Sequence, residues 1–403
     1  MTAQVANIDS RPQDVPTDLV FDYDIFNDPR LKDDVHKGMF TLFRDAPDIF
    51  WTPRNGGHWV VTRYDHVREI VTQPERFSNA NASVRSVPVN FTVKLPPQDM
   101  DAPDHMKHRL LLLKFMAPKL LRKQEAAVVR LMNELIDKLQ GRHTCDFHEE
   151  IAINFPVVAF LSMMEWDLSR ARQFVQWVND IIAVSDPAIR GKAYLELLAY
   201  IDEMIAERLG SNLVDPVSLL LQSKVDGQPI PVERVREMTT LLFTGGLDTV
   251  TNAMTFIMKY LAEHPDIQDH LRANPDQVDA AVEELLRRHA FVNTFRRATQ
   301  DMEFHGVTFR KDDILTCSLC TASNDERRFP DPEAVRIERS STEHLAFNTG
   351  PHNCVGAPLA RIELRVFLRE WLRRMPNVRL APDWKPVTGG GPVMRLQNLV
   401  IVW

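Results

Sequence analysis

Apolar residues recur at spacings of three and four from about residue 102 to residue 290, and this periodicity constrains the fold more than any other feature. It demands a body of amphipathic helices, each needing neighbours to cover its apolar stripe. "DHMKHRLLLLKFMAPKLLRKQEAAVVRLMNELIDKL" and "PVERVREMTTLLFTGGLDTVTNAMTFIMKYLAEH" carry the clearest stripes. The chain has 403 residues and is 44% hydrophobic, ample for a large core. β-like runs are confined to the flanks. "DIFWTPRNGGHWVVTRY" (48–64) reads as a hairpin turning on Asn55-Gly56-Gly57. After residue 290 come "MEFHGVTF", "DILTCSLC" and "LQNLVIVW", interrupted by one more helix, "PLARIELRVFLREWLRRM". No repeat or Gly/Ser/Pro linker divides the chain. The expectation is a loose polar arm over residues 1–20. One large, mainly α domain follows over 21–403, with a small β portion drawn from both ends.

The net charge of −7 argues against a nucleic-acid binder. No run of 18 or more apolar residues spans a membrane. The start lacks a basic region followed by an apolar one, so no export signal is read and a cytoplasmic location is expected. Four cysteines, Cys145, Cys317, Cys320 and Cys354, are too few for a disulfide scaffold and are expected to stay reduced.

Cys317-x-x-Cys320 lacks a second half to complete a zinc site, and it sits in a strand-like run where residues three apart face opposite sides. It reads as packing. Cys354, in "FNTGPHNCVG", is different. Gly350 and Gly356 permit a tight loop and close approach to a flat object. The helix that follows turns free N–H groups and its positive end toward the sulfur, which favours a thiolate. Pro358 fits a first turn. His352 is near enough to serve a nucleophilic cysteine as a base, but that spacing alone is weak. A lone thiolate suits an iron whose other ligands come from a macrocycle, as in haem-thiolate ligation. Haem propionates need cations, and His105, Arg109 and Arg296 are placed to converge on them; His105 and Arg109 are four apart on one helix face.

Gly245 and Gly246 in "LLFTGGLDTVTNAM" cost about 1 kcal/mol each inside a helix. Close packing against a neighbouring helix would explain them, and so would a flattened site against bare backbone. Asp248 and Thr249 follow, an acid beside a hydroxyl in an apolar helix, which suits a proton relay toward bound oxygen. Glu284 and Arg287 in "EELLRR" are three apart; by spacing alone they form a common surface ion pair, worth about 0.3–0.5 kcal/mol.

Together these residues resemble the cytochrome P-450 superfamily. Phe347, Gly350, Cys354 and Gly356 match its haem loop, F-x-x-G-x-x-x-C-x-G. Glu284 and Arg287 match its E-x-x-R pair, with Arg339 where the third member belongs and Val335 in place of an aromatic residue. "GGLDT" matches its oxygen-binding segment and "DAPDHMKHR" the helix reaching the propionates; "PERFSN" also fits. The likeness runs from about residue 20 to residue 403. Within the family, "GGLDTV", "EELLRR" and "EFHGV" are most similar to the bacterial camphor-hydroxylating class.

The resemblance implies the cytochrome P-450 fold, a single domain with a long central helix, and a monooxygenase using haem b and O2. Cys354 would ligate iron, and Asp248 and Thr249 would deliver protons. His105, Arg109, Arg296, His352, Gly245, Gly246, Phe347, Gly350 and Gly356 would contact the haem. Glu284, Arg287 and Arg339 would be structural. The implied substrate pocket is lined by Val93, Leu241, Thr244, Val292 and Val393, with Val93 replacing the tyrosine that holds the camphor ketone. A terpenoid or norisoprenoid of ionone or camphor size is therefore expected. Electrons would come from a 2Fe-2S ferredoxin, with a ferredoxin reductase upstream. The stripe Arg361, Arg365, Arg369 and Arg373, with Lys107 and Arg109, is a candidate docking patch, against the plainer reading of a solvated face neutralised by other helices. A monomer is expected. A peroxide-driven peroxygenase and a haem gas sensor are the competing readings, and the Asp248–Thr249 pair speaks against both.

Overall fold

The computed structural model describes residues 12–84, 94–182, 186–213, 215–339 and 343–403. About 53% of the chain is helical, as the periodicity requires. The axis of the body is the 32-residue helix Val232–Glu263, about 48 Å long at 1.5 Å per residue. Every residue from Val250 to Met258 is buried, so this half is enclosed on all sides. It packs against the helices Asn154–Met164 and Ala357–Arg374, and the latter lies on Pro118–Asp137. Val128, Met132, Met254, Ile257, Phe367 and Trp371 share the core formed there. Val235, Phe243 and Leu247, from the other half, enter a second core with Phe160, Phe174 and Leu197. The central helix thus belongs to two cores, and the chemistry-bearing segment Gly245–Thr249 falls where they meet.

Polar side chains in this helix are accommodated by bonding back along it. Thr251 donates to the Leu247 carbonyl at 3.0 Å, Thr255 to that of Thr251 at 2.8 Å, and Asn252 to that of Asp248 at 2.8 Å.

The larger sheet draws strands from distant parts of the sequence, in the order Ile49–Thr52, His58–Val61, Ile314–Ser318, Asn293–Ala298, Phe77–Ser78. His58–Val61 and Ile314–Ser318 run parallel, and a parallel pair needs a long crossover. Here the crossover is the helical body itself. The expected hairpin forms, with positive φ at Asn55, Gly56 and Gly57. A smaller sheet, Arg379–Leu380, Val400–Val402 and Thr144–Asp146, ties down the C-terminus.

Of the expected arm over residues 1–20, the described part makes contacts at three points: Val15 is 4% exposed, Asp14 pairs with Arg310 at 2.6 Å, and Val20 bridges to Trp51. Three expectations need correction. The helical run after Asp104 is two helices, Asp104–Leu113 and Pro118–Asp137, because Pro118 lacks the N–H needed to continue and starts the second instead. "MEFHGVTF" is not one strand but a hairpin, turning on His305 and Gly306, both at positive φ. Cys320 lies beyond its strand, in the short helix Leu319–Ala322. Cys317 and Cys320 are buried in different cores, and no metal-binding cluster of His, Cys, Asp and Glu exists among the described residues.

Candidate functional site

The loop before the C-terminal helix closes on itself. Cys354 donates its N–H to the Phe347 carbonyl at 2.9 Å, and the Asn353 amide donates to the Phe347 and Asn348 carbonyls at 3.3 and 3.0 Å. Gly350 has φ +71°, and a Cβ there would stand 3.1 Å from the Val71 carbonyl, so this position needs glycine. Gly356 differs from expectation. Its φ of −79° is helical, and a Cβ would meet only the Cys354 sulfur, at 3.9 Å. The glycine there leaves room beside the sulfur rather than permitting a turn.

Cys354 is the exposed cysteine; Cys145, Cys317 and Cys320 are buried. Desolvation raises the Cys354 thiol above its ordinary value, while the N–H groups of Gly356 and Ala357 and the charges of Arg109 and Arg361 act in the opposite direction. The helix end thus favours the thiolate, as the sequence suggests, and desolvation opposes it. A coordinated cation deprotonates such a thiol outright. His352 is not its base. The ring lies 4.0 Å from that of His105 at 34°, and its Nδ1 accepts from the Asn79 amide at 3.1 Å. Burial, reinforced by His105, Arg296 and Arg109, pushes His352 down to about 3.

The expected cations do converge. Arg109, from the helix Asp104–Leu113, donates to the Asn353 carbonyl at 2.5 Å, beside the cysteine. Arg296 is 1% exposed and sits in the larger sheet opposite Leu315. Guanidinium Nη1 donates to Thr294 Oγ1 at 3.0 Å and to the Phe295 carbonyl at 2.8 Å; Nη2 is buried with no partner among the described residues. Leaving such a nitrogen bare is costly. A buried cation with a donor to spare, a second cation and two histidines suit an anionic group entering the same space.

On the central helix, Leu241, Thr244, Gly245, Asp248 and Thr249 follow helical spacing and are less buried than Phe243, Leu247 and Val250 between them. The two glycines separate the two readings of the pair. A Cβ on Gly246 would come 3.1 Å from Phe160, which is close packing; a Cβ on Gly245 would meet nothing within 4 Å. Thr249 donates to the Gly245 carbonyl at 3.0 Å. Burial raises the Asp248 carboxyl, against Arg395 and Asn252, which lower it. Arg395 Nε lies 3.6 Å from Asp248 Oδ2. Val355 and Leu359, just beyond Cys354, pack on the core that holds Phe243 and Leu247, so loop and helix border one region. Val292 and Val393 form an isolated antiparallel bridge. Val93 lies outside the described residues. The thiol, the cations and the open backbone at Gly245 together fit an iron macrocycle bearing carboxylates.

Glu284 and Arg287 are buried, not the surface pair that spacing alone suggests. Arg287 bonds both oxygens of Glu284 at 2.9 Å, Arg339 reaches the same carboxylate at 3.0 Å, and Arg287 also donates to the Ser323 and Pro332 carbonyls. The arginine stripe is neutralised within the chain. Arg361 pairs with Glu283 at 2.6 Å, Arg365 with Glu125 at 3.2 Å, Arg369 with Asp279 at 2.8 Å and Arg373 with Glu370 at 2.5 Å. Lys107 is engaged by Asp226 at 2.5 Å. The plainer reading of the stripe is the better one. Sequence reasoning missed Arg395, Asn79 and Asn353, which lie far in sequence from the groups they touch or carry no motif.

The cytochrome P450 family profile matches residues 192–376. Over 401 residues, 97% of this chain and 96% of the relative, the chain is 34% identical to the probable cytochrome P450 127A1 of Sinorhizobium fredii. It is 30% identical to a steroid C26-monooxygenase of Mycobacterium tuberculosis, covering 92% of this chain and 96% of that one. The crystal structure of cytochrome P450 CYP101C1 superposes with a TM-score of 0.90 at 34% identity, over 98% of this chain and 99% of that one. That of CYP101J2 gives 0.90 at 31% identity, with the same coverage. No helix among the described residues is long and apolar enough to cross a membrane. The chain belongs to the cytochrome P450 family and is a haem monooxygenase, with haem b as cofactor and O2 as co-substrate.

Proposed function

We propose that the chain hydroxylates a small apolar terpenoid or norisoprenoid, of ionone or camphor size, with two electrons from a 2Fe-2S ferredoxin served by a reductase. Residues 21–403 act as one catalytic domain, in a cytoplasmic monomer. The observation that carries this reading is the exposed Cys354 thiol in a closed loop, beside Arg109 and near the partly exposed stripe over residues 241–249 of the central helix.

Cys354 is the iron ligand. His105, Arg109 and Arg296, with His352 beside them, neutralise the haem carboxylates, and Arg296 Nη2 is the donor still to be used. Phe347, Gly350 and Gly356 shape the thiolate side; Gly245 gives the other side bare backbone, with Gly246 holding the helix against Phe160. The haem supplies oxygen activation and its insertion into a C–H bond. Asp248 exchanges protons with the interior, and Thr249 holds a hydroxyl at the helix, its own proton directed to the Gly245 carbonyl. The Thr249 oxygen is left able to accept, which suits a water-borne proton path starting from Asp248. That pair supports an O2-driven reaction over a peroxide-driven one.

Leu241, Val292 and Val393, with Thr244 and Val93, form an apolar lining. The Thr244 hydroxyl is committed to the Thr240 carbonyl at 3.0 Å, leaving little to orient a ketone. Titrating the haem-loaded protein with terpenoids and steroids tests the substrate. Ionone-sized terpenoids are expected to shift the Soret band at micromolar concentration; tight binding of steroids and no response to terpenoids overturns the class. A carbon-monoxide spectrum of the histidine-ligated type, with Cys354 intact, overturns the ligand.

A further inference from the structure

The relay acid has a partner that no motif predicts. We propose that Arg395 is the positioning residue for Asp248, tethering it to the C-terminal hairpin and so controlling its delivery of protons. This rests on the Asp248–Thr249 reading above.

Three observations carry it. First, Arg395 is the cation that acts on Asp248 and outweighs Asn252, which also lowers the carboxyl and whose amide donates to the Asp248 backbone carbonyl at 2.8 Å. Second, the root of Arg395 is fixed. Its backbone pairs with Gly389 across the hairpin Thr388–Gly389/Arg395–Leu396, the neighbouring Met394 N–H bonds the Phe291 carbonyl at 2.8 Å, and Thr388 Oγ1 bonds the Leu31 and Lys32 carbonyls at 3.1 and 2.7 Å. Third, the pair is enclosed: both side chains are largely shielded, with Arg395 Nε 3.6 Å from Asp248 Oδ2. Val393 and Arg395 are two apart on an extended segment and share a face, so the arm that holds the acid also presents a pocket residue.

Removing the guanidinium leaves burial as the main influence on Asp248, which then holds its proton to higher pH. The test compares Arg395→Gln, Arg395→Lys, Asp248→Asn and the double variant Arg395→Gln/Asp248→Asn as haem-loaded proteins. In thermal unfolding, the two single losses are expected to overlap in the double variant, since each breaks the same pair; strictly additive losses overturn the proposal. In reconstituted turnover, Asp248→Asn is expected to lower product formation at least about 10-fold and to raise the solvent isotope effect. Arg395→Gln is expected to follow it and to move the pH profile upward, with Arg395→Lys restoring most of both. Wild-type isotope effect and pH profile in Arg395→Gln, with Asp248→Asn impaired, overturn the role of Arg395 alone. An unimpaired Asp248→Asn overturns the relay reading itself.

Discussion

Gly245 and Gly246 occupy adjacent helical positions with opposite surroundings, and this difference is measurable. Gly246→Ala drives a methyl to 3.1 Å from the Phe160 ring and should destabilise by about 1–3 kcal/mol. Gly245→Ala meets open space and should stabilise by up to about 1 kcal/mol through helix propensity, while altering ligand binding. Urea unfolding of both variants checks this; equal effects would contradict it. Glu363 makes a second residue-scale prediction. Burial alone pushes its carboxyl from the ordinary 4.5 up to about 8. The folded chain keeps this proton where the unfolded chain releases it, so the residue destabilises the fold increasingly as pH rises from about 4.5 to about 8. Glu363→Gln should therefore raise the melting temperature much more at about pH 8 than at about pH 5. A gain independent of pH would show that the carboxyl titrates normally. At this scale the sequence exposed Cys354, Asp248 and Thr249, because their residue types are costly or reactive where they stand. It could not separate Gly245 from Gly246, since a glycine's role depends on what faces it.

The elements most exposed to sequence reasoning were the long helices, whose period is set by local geometry. Their ends and partners were less so. The network of Glu284, Arg287 and Arg339 looks like a surface pair in sequence, yet Arg287 is 1% exposed and bonds three chain segments, at Glu284, at Ser323 and at Pro332. Arg287→Ala would leave a buried carboxylate sharing one remaining arginine and should cost about 3–5 kcal/mol, read as a fall in urea midpoint. A loss below 1 kcal/mol would mean the network is replaceable by water. The stripe along the helix Ala357–Arg374 shows the opposite error. Its four arginines suggest a field, but helices distant in sequence supply carboxylates to Arg361, Arg365 and Arg369. Reduction by an acidic ferredoxin should accordingly change only modestly with ionic strength. A rate falling steeply between about 50 and 200 mM salt would restore the patch as a steering surface.

For the whole molecule, acid sensitivity follows from buried neutral histidines. Burial holds His36, His58 and His148 at about 4 and His289 well below the usual 6.5. The unfolded chain takes up these protons first, so stability falls as pH drops from about 6.5 toward about 4, by up to about 1.4 kcal/mol per histidine per pH unit. Asp34 and Glu283, held at about 2 in the fold mainly by Lys259 for the one and by His344 and Arg361 for the other against their burial, lose their contribution only below the ordinary carboxylate range. Urea midpoints should begin to decline near pH 6.5; a midpoint constant down to about pH 4.5 would contradict the histidine account.

The order of the motifs and the helical period were enough, from sequence alone, to set the class of fold and the family and to single out the sulfur proposed to hold the metal, because helix formation and thiolate chemistry depend on near neighbours in the chain. Only the tertiary structure decided which charges are spent inside the molecule, which glycine faces open space, and that Arg395 reaches Asp248. Those outcomes depend on contacts between segments far apart in sequence, and pairing across such distances leaves no local pattern to read.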